Sequence, residues 1–177
     1  TTDLDEALSG PEKIFMDCSA TGGRPERVRK AIALAIDRQA IIDGAMFGYG
    51  TPIGSHFAPH HPDYVDLLDR SPHDPEKARA LLAEAGVSGL KLRLALPPPP
   101  YARRGGEIVA AQLREVGIET QTTNMEWAQW LETVYKNHDF ALTIISHVEP
   151  MDIGIYARDG YYIGYQNPAF NALMEKL

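Results

Sequence analysis

The chain has 177 residues, with 17 Lys and Arg against 24 Asp and Glu, so its formal charge is −7. This acidic balance disfavours nonspecific binding to nucleic acid or anionic membranes, because both depend on clustered basic side chains. A hydrophobic fraction of 44% with 23% charged residues is typical of a globular domain, and the single cysteine excludes an internal disulfide. No run of about 18 apolar residues occurs, so the sequence contains no segment typical of a transmembrane helix.

The first part of the chain predicts a strand followed by a helix. Residues 14–19 read as a strand, in which Cys18 is expected to be a small buried hydrophobe. A TGGRP turn follows, with Pro25 suited to the first position of a helix. Apolar residues then recur every three or four positions and predict an amphipathic helix that ends near Gly44. They are Val28, Ala31, Ile32 and Ala35.

Residues 47–72 predict a long loop, and a capped helix follows it. The loop is rich in Gly, Pro and His and has neither a helical nor a strand period. Asp74 then offers a capping oxygen, Pro75 a fixed φ and Gly86 a left-handed end, which together predict a helix.

The middle of the chain predicts parallel strands joined by helices. Residues 90–96 alternate as a strand does, and four consecutive prolines at 97–100 must then leave the sheet. A helix ended by Gly117, a strand over 118–123, a helical stripe over 127–134 and an apolar strand over 140–145 follow. This order predicts two βαβ units in tandem, and hence one α/β domain over residues 1–177.

The end of the chain predicts an irregular segment and a last helix. Residues 148–166 are rich in Tyr and Gly, and Asn167 with Pro168 can open a helix. Its apolar stripe is still running at Leu177, so we expect the chain to be part of a longer protein.

Histidines and carboxylates of the long loop are the metal candidates. The loop's spacing does not place two ligands on one helical face, so a solvated loop is the preferred interpretation, with a metal site or a ligand contact as the alternatives. The candidates are His56, His60, His61, His73, Asp63 and Asp66. Glycine pairs at 22–23, 48–50 and 105–106 complete no phosphate-binding motif and are predicted to be turn glycines.

The segment after the last predicted strand is the candidate binding site. Ser146 and His147, with Glu149 and Asp152 nearby, supply the residue types of a catalytic triad. Neighbours on an extended chain point to opposite faces, however, which disfavours a triad. Open α/β sheets bind ligands at the carboxyl ends of their strands, which favours a ligand crevice here. The predicted ligand-binding residues are Ser146, His147, Glu149, Asp152, Tyr156, Tyr161 and Tyr162, with Tyr165 nearby. The alternative is that these tyrosines simply cover the end of the sheet.

Six segments together resemble one family, the family 5 extracytoplasmic solute-binding proteins of ABC importers. The segments are VRKAIALAIDRQAII (28–42), GYGTP (48–52), DPEKARALLAEAG (74–86), AAQLREVGI (110–118), HDFALTIISHVEP (138–150) and GYQNPAFNALMEKL (164–177). The resemblance extends over nearly the whole chain. The family includes dipeptide-, oligopeptide- and nickel-binding members.

The resemblance implies a lobe of the periplasmic-binding-protein kind, with a mixed sheet and flanking helices. Such proteins close two lobes on a ligand and hand it to a membrane permease, without acting as enzymes and without a cofactor or metal for chemistry. The chain corresponds to the C-terminal lobe, so the N-terminal lobe and a C-terminal tail are expected to be missing partners. A periplasmic or otherwise extracytoplasmic location follows, although residues 1–10 do not have the composition of an export signal.

One position departs from the peptide-binding pattern of the family. Peptide-binding members usually carry an acidic residue four positions before the proline of the ligand-facing turn, and here that position is Ser146. Glu149 or Asp152 could take over, while His147 is consistent with a nickel chelate, an opine or a modified peptide. Two rival functions stay open at this point, a metal-dependent hydrolase using the loop from His56 to His73, and an interaction domain with exposed tyrosines.

Overall fold

The fold is taken from a computed structural model, which describes residues 14–16, 25–146 and 152–177. The strands are β1 (Ile14–Met16), β2 (Lys91–Leu96), β3 (Glu119–Asn124) and β4 (Leu142–Ile144). The helices are α1 (Pro25–Ala35), α2 (Arg38–Ala45), α3 (Pro75–Glu84), α4 (Pro100–Glu115), α5 (Trp127–Trp130) and α6 (Pro168–Met174). A π-helical turn, Leu131–Lys136, continues α5, and short 3-10 helices span Leu68–Arg70 and Asp152–Ala157.

The strands form one mixed sheet in the order β1-β4-β2-β3. β2 pairs in parallel with β3 along its whole length and with β4 at its carboxyl end, whereas β1 is antiparallel to β4. Both predicted βαβ units are present, and the connection from β3 to β4 passes over β2. This arrangement confirms the predicted α/β fold with a mixed sheet and flanking helices.

The alternation of β2 divides the core between the two faces of the sheet. Leu92, Leu94 and Leu96 are almost fully buried among residues of α1, α3 and α4 on one face. Ala95 lies on the other face, in a cluster with Trp130 and other large side chains. β2 is therefore covered on both sides at its carboxyl end, as a central strand of an α/β sheet must be.

The predicted single helix up to Gly44 is wrong, because the chain forms two helices there. α1 begins at Pro25 as predicted but ends at Ala35, and α2 begins two residues after Ile36. The carboxylate of Asp37 accepts hydrogen bonds from the backbone N–H groups of Gln39 and Ala40, at 2.9 and 3.2 Å. An aspartate in this geometry starts a new helix rather than continuing the old one.

The predicted caps of α3 are confirmed. The Asp74 carboxylate accepts from the N–H of Lys77 at 2.9 Å, Pro75 is the first helical residue, and Gly86 has φ +68°. The loop predicted before this helix contains the short 3-10 helix Leu68–Arg70. The Arg38 guanidinium holds the end of the loop by donating to the carbonyl of Ser71 at 2.8 Å.

Gly105 and Gly106 are not turn glycines, so that prediction is wrong. Both lie inside α4. A Cβ on Gly106 would stand 2.3 Å from a methyl carbon of Leu96, while one on Gly105 would stand at an ordinary 3.7 Å from Ile41. The missing side chain at Gly106 lets α4 lie directly on β2, which offsets the cost of about 0.5–1 kcal/mol for glycine in a helix.

The remaining predictions hold in part. The last helix is confirmed, with the Asn167 side chain capping it at 3.0 and 3.2 Å from the N–H groups of Ala169 and Phe170. The irregular segment contains a 3-10 helix in its described part, and the strand predicted over 140–145 is shorter, Leu142–Ile144. The predicted strand over 14–19 is seen for residues 14–16, whereas Cys18 and the glycines at 22–23 lie outside the described residues.

Candidate functional site

The carboxyl ends of the three parallel strands meet at one edge of the sheet. β2 ends at Leu96, β3 at Asn124 and β4 at Ile144, and all three run in the same direction. This is the edge at which open α/β sheets bind ligands. Ser146 lies two residues beyond β4 and is exposed, so the structure places the first predicted site residue at this edge.

A hydrogen bond joins the end of β4 to the start of α4. The backbone N–H of Ser146 donates to the phenolic oxygen of Tyr101 at 2.9 Å. Tyr101 is the second residue of α4, directly after the proline run that follows β2. This bond connects the residue after β4 to the helix that follows β2, at the carboxyl edge of the sheet.

The first turn of α4 also holds the end of β3. The Arg103 guanidinium donates to the Glu126 carboxylate at 3.1 Å and to the carbonyl of Met125 at 3.4 Å. The first turn of α4 therefore contacts the residues that follow β3 and β4, and α4 is itself the element that follows β2 in the chain.

An exposed aromatic ring lies beside the same helix start. The guanidinium carbon of Arg104 stands 4.8 Å from the centre of the Phe47 ring, which is 70% exposed. Phe47 has φ +56°, a left-handed conformation that a large residue rarely adopts without a constraint from its surroundings. The loop after α2 therefore adds flat apolar surface near the edge.

Tyr162 lies in the core cluster that contains Ala95 and Trp130. Its residue is 3% exposed, and it packs against Trp130 with ring centres 5.9 Å apart. Burial raises the pKa of its hydroxyl far above the usual value, and the nearby hydroxyls of Tyr161, Tyr135, Tyr156 and Tyr101 raise it further. The hydroxyl therefore stays protonated, and the buried ring supports its neighbours; ligand contact through Tyr162 stays a prediction.

Tyr161 is half-buried over that core ring. It meets Tyr162 at 4.9 Å between ring centres and Tyr135 at 5.9 Å in an edge-to-face contact, and the Arg158 guanidinium lies 5.4 Å from its ring centre. Such packed rings offer a stiff, partly apolar surface with a polar rim.

Tyr156 belongs to a second aromatic group. It contacts Tyr165 and Phe170 at 5.9 and 6.2 Å between ring centres, and also the imidazole of His56 at 5.6 Å. The histidine loop and the tyrosine segment, which the sequence leaves separate, therefore touch. Tyr156 links them to the last helix through Phe170, which is buried.

A buried chain of hydrogen bonds fixes α5 over the end of β4. The indole N–H of Trp130 donates to the hydroxyl of Thr143 at 3.0 Å, and that hydroxyl donates to the carbonyl of Ala95 at 2.7 Å. Thr143 is fully buried, three residues before Ser146. Helix, β4 and β2 are thus connected directly beneath the candidate crevice.

Three predicted site residues cannot be placed by their side chains. His147 and Glu149 lie outside the described residues, and Asp152 is described only by its backbone, which begins a 3-10 helix. The disfavoured triad reading of Ser146 with His147 is therefore not tested.

Three histidines of this region contact aromatic rings or an aspartate. His61 stacks on Phe57 with ring centres 4.3 Å apart, and its Nδ1 accepts from the N–H of Asp63 at 3.2 Å. His73 stands 3.9 Å from the Asp37 carboxylate. Within residues 14–16, 25–146 and 152–177, no three His, Cys, Asp or Glu side chains form a group suited to a metal ion. The geometry thus gives no support to the hydrolase alternative.

Tyr101 is the edge residue that the sequence analysis missed. A signal was present, because the first aromatic residue after the four prolines must stand near the carboxyl end of β2. Together with Ser146, it gives the edge hydroxyl groups, a backbone polar group and ring surface. These groups can bind and orient a small polar ligand.

Comparisons with known proteins identify a family and several relatives. Residues 6–158 match the family described as bacterial extracellular solute-binding proteins, family 5 Middle. The heme-binding protein A of Haemophilus influenzae is 34% identical over 110 residues, which are 59% of this chain and 20% of that protein. The dipeptide-binding protein of Escherichia coli K12 is 34% identical over 112 residues, which are 60% of this chain and 21% of that protein.

A solved structure matches the fold over almost the whole chain. The oligopeptide-binding protein AppA from Bacillus subtilis, in complex with a nonapeptide, has a TM-score of 0.75 and 21% identity, covering 96% of this chain and 39% of that one. The chain spans about a fifth of the length of the curated relatives it matches. In the part of the chain that the structure describes, no helix has both the length and the apolar character for a membrane crossing.

Proposed function

The chain belongs to the bacterial extracellular solute-binding proteins of family 5, and from this membership we propose that it captures a small polar solute for an ABC importer. In this proposal it is the C-terminal lobe of a two-lobed protein, and the solute is held in the cleft between the lobes. The solute is bound without chemical change and passed to the membrane permease. The proposed location is therefore the periplasm or another extracytoplasmic space.

The observation that carries the proposal is the junction of Ser146 and Tyr101 at the carboxyl edge of the sheet. An exposed polar residue, a half-buried tyrosine and a rigid helix start meet there, where a second lobe could close on a ligand. The proposed ligand-binding residues are Ser146, His147, Glu149, Asp152, Tyr156, Tyr161 and Tyr162. Of these, Tyr162 is buried and would act by packing against Tyr161.

A peptide or a related small polar molecule is the proposed class of solute. Two relatives are named for binding heme and dipeptides, so the family tolerates different ligands on one fold. A peptide's free amino group carries a positive charge, and Ser146 offers it no carboxylate. In this proposal Glu149 or Asp152 pairs with the amino group. If neither carboxylate does so, the solute is one that lacks an amino group.

Isothermal calorimetry on the two-lobed protein tests the proposal. The probes are L-alanyl-L-alanine, its N-acetyl derivative, hemin and a nickel–histidine chelate. We expect at least one to bind with a Kd of roughly micromolar or tighter, and indifference to all four contradicts solute capture. The ratio of the first two Kd values reports whether any carboxylate pairs with the amino group.

A matched pair of variants locates the site. Ser146→Phe places a ring at the carboxyl edge and is expected to weaken binding at least tenfold. Ser88→Phe makes the same change at an exposed serine before the amino end of β2 and is expected to leave the Kd unchanged. Equal effects of the two substitutions would count against a site at this edge.

A further inference from the structure

A hydrogen bond to Tyr101 satisfies the backbone N–H of Ser146, two residues beyond the end of β4. β4 pairs with β2 at Leu94 with Leu142 and at Ala95 with Thr143, and β2 ends one residue later, at Leu96. The proline run then leads the chain into α4, away from the sheet. Beyond Ile144 the chain has left the strand pairing, and the N–H of Ser146 bonds to a side chain from the start of α4.

We propose that Tyr101 is a positioning residue of the ligand site, an inference that rests on the proposed function. Its hydroxyl oxygen accepts the N–H of Ser146 and so holds the backbone of an exposed residue at the carboxyl edge of the sheet. A phenol can accept and donate at the same time. The hydroxyl proton is left to donate to an acceptor on the solute, such as a carboxylate or carbonyl oxygen.

The surroundings of Tyr101 suit this role. Tyr101 is the second residue of the 16-residue helix α4. The first turn of this helix is held by the contacts of Arg103 with Met125 and Glu126. The residue is half-buried, so its ring is packed while part of it faces solvent. A half-buried ring whose hydroxyl already binds the Ser146 backbone can also present that hydroxyl to a ligand.

Tyr101→Phe is the direct test, because it removes the hydroxyl and keeps the ring. Amide hydrogen exchange, measured by NMR on the 177-residue chain, should be roughly tenfold or more faster at Ser146. Calorimetry on the two-lobed protein with the same four probes should show affinity lowered roughly three- to tenfold for the probe that binds.

Two control variants separate this role from a general loss of stability. Tyr64→Phe makes the same change at a half-buried tyrosine of the long loop and should alter neither readout. Ser146→Ala removes the serine hydroxyl but keeps the backbone N–H, so the exchange rate at position 146 should stay within about threefold of the wild-type rate.

The outcomes are distinct. An unchanged exchange rate at Ser146 in Tyr101→Phe overturns the proposed bond, and faster exchange with unchanged probe affinity overturns the positioning role. If the wild-type protein binds none of the four probes, it is the proposed function that fails in this experiment, while the exchange rate still decides whether Tyr101 holds Ser146.

Discussion

Replacement of Thr143 by valine should destabilise the fold by removing one buried hydroxyl. Thr143 is fully buried and stands between the indole N–H of Trp130 and the carbonyl of Ala95. Valine has nearly the same shape but neither accepts nor donates a hydrogen bond. Helix α5 would then lose its polar attachment to β4 beneath the candidate crevice.

The size of the effect follows from the two hydrogen bonds. Trp130 is 4% exposed, so its N–H cannot reach water easily, and an unsatisfied buried donor costs about 1–3 kcal/mol. The carbonyl of Ala95 has a second lone pair and loses less. The additional buried methyl of valine returns about 0.8 kcal/mol, so a net loss of about 1–2 kcal/mol in the free energy of unfolding is expected.

Urea unfolding of a double-mutant cycle isolates this interaction. In a Trp130→Phe background no indole N–H is left unpaired, so Thr143→Val should cost about 1–2 kcal/mol less than in the wild type. Thr143→Ser keeps the hydroxyl and should show no such coupling. A coupling energy below about 0.5 kcal/mol would refute the view that the hydroxyl connects α5 to the sheet.

Two further predictions concern the packing of α4 and the charge on the sheet. Gly105→Ala should stabilise the chain by about 0.5–1 kcal/mol through helix propensity, whereas Gly106→Ala should destabilise it by about 1 kcal/mol, since its Cβ would collide with Leu96; equal midpoints in urea for the two variants would contradict this. The Arg93 guanidinium, by its hydrogen bond and charge, lowers the pKa of Asp139. The pair therefore stabilises the fold above the unfolded-state pKa of about 3.9, and the effect is lost as the pH falls through the lower folded value. Arg93→Gln should return the pKa of Asp139 towards its ordinary value in an NMR titration, and an unmoved pKa would show that Arg93 is not the cause.

Local chemistry made much of the fold predictable. The caps at Asp74 and Asn167 and the left-handed glycine at 86 depend on the residues within one turn, and the structure confirms them. The alternation of leucines in β2 similarly reports burial directly. Because strands joined by helices run parallel, the edge that holds Ser146 could also be located from the order of elements.

The failures have physical causes. Asp37 lies among residues with good helical spacing, but its backbone is extended (φ −85°, ψ 105°) and its carboxylate caps the next helix, which the spacing does not reveal. Gly105 and Gly106 resemble turn glycines unless the contact between α4 and β2 is known. The partner of Tyr101 lies 45 positions away along the chain, so that hydrogen bond is set by the pairing of strands and not by any local pattern.

Hydrogen exchange of the two-lobed protein, with and without the solute that calorimetry selects, tests the central claim most directly. Slower exchange on binding is expected in residues 145–152 and in the first turn of α4, where Tyr101 lies. Protection confined to the amino end of the sheet, around Ser88 and Gly117, would contradict a ligand cleft at the carboxyl edge.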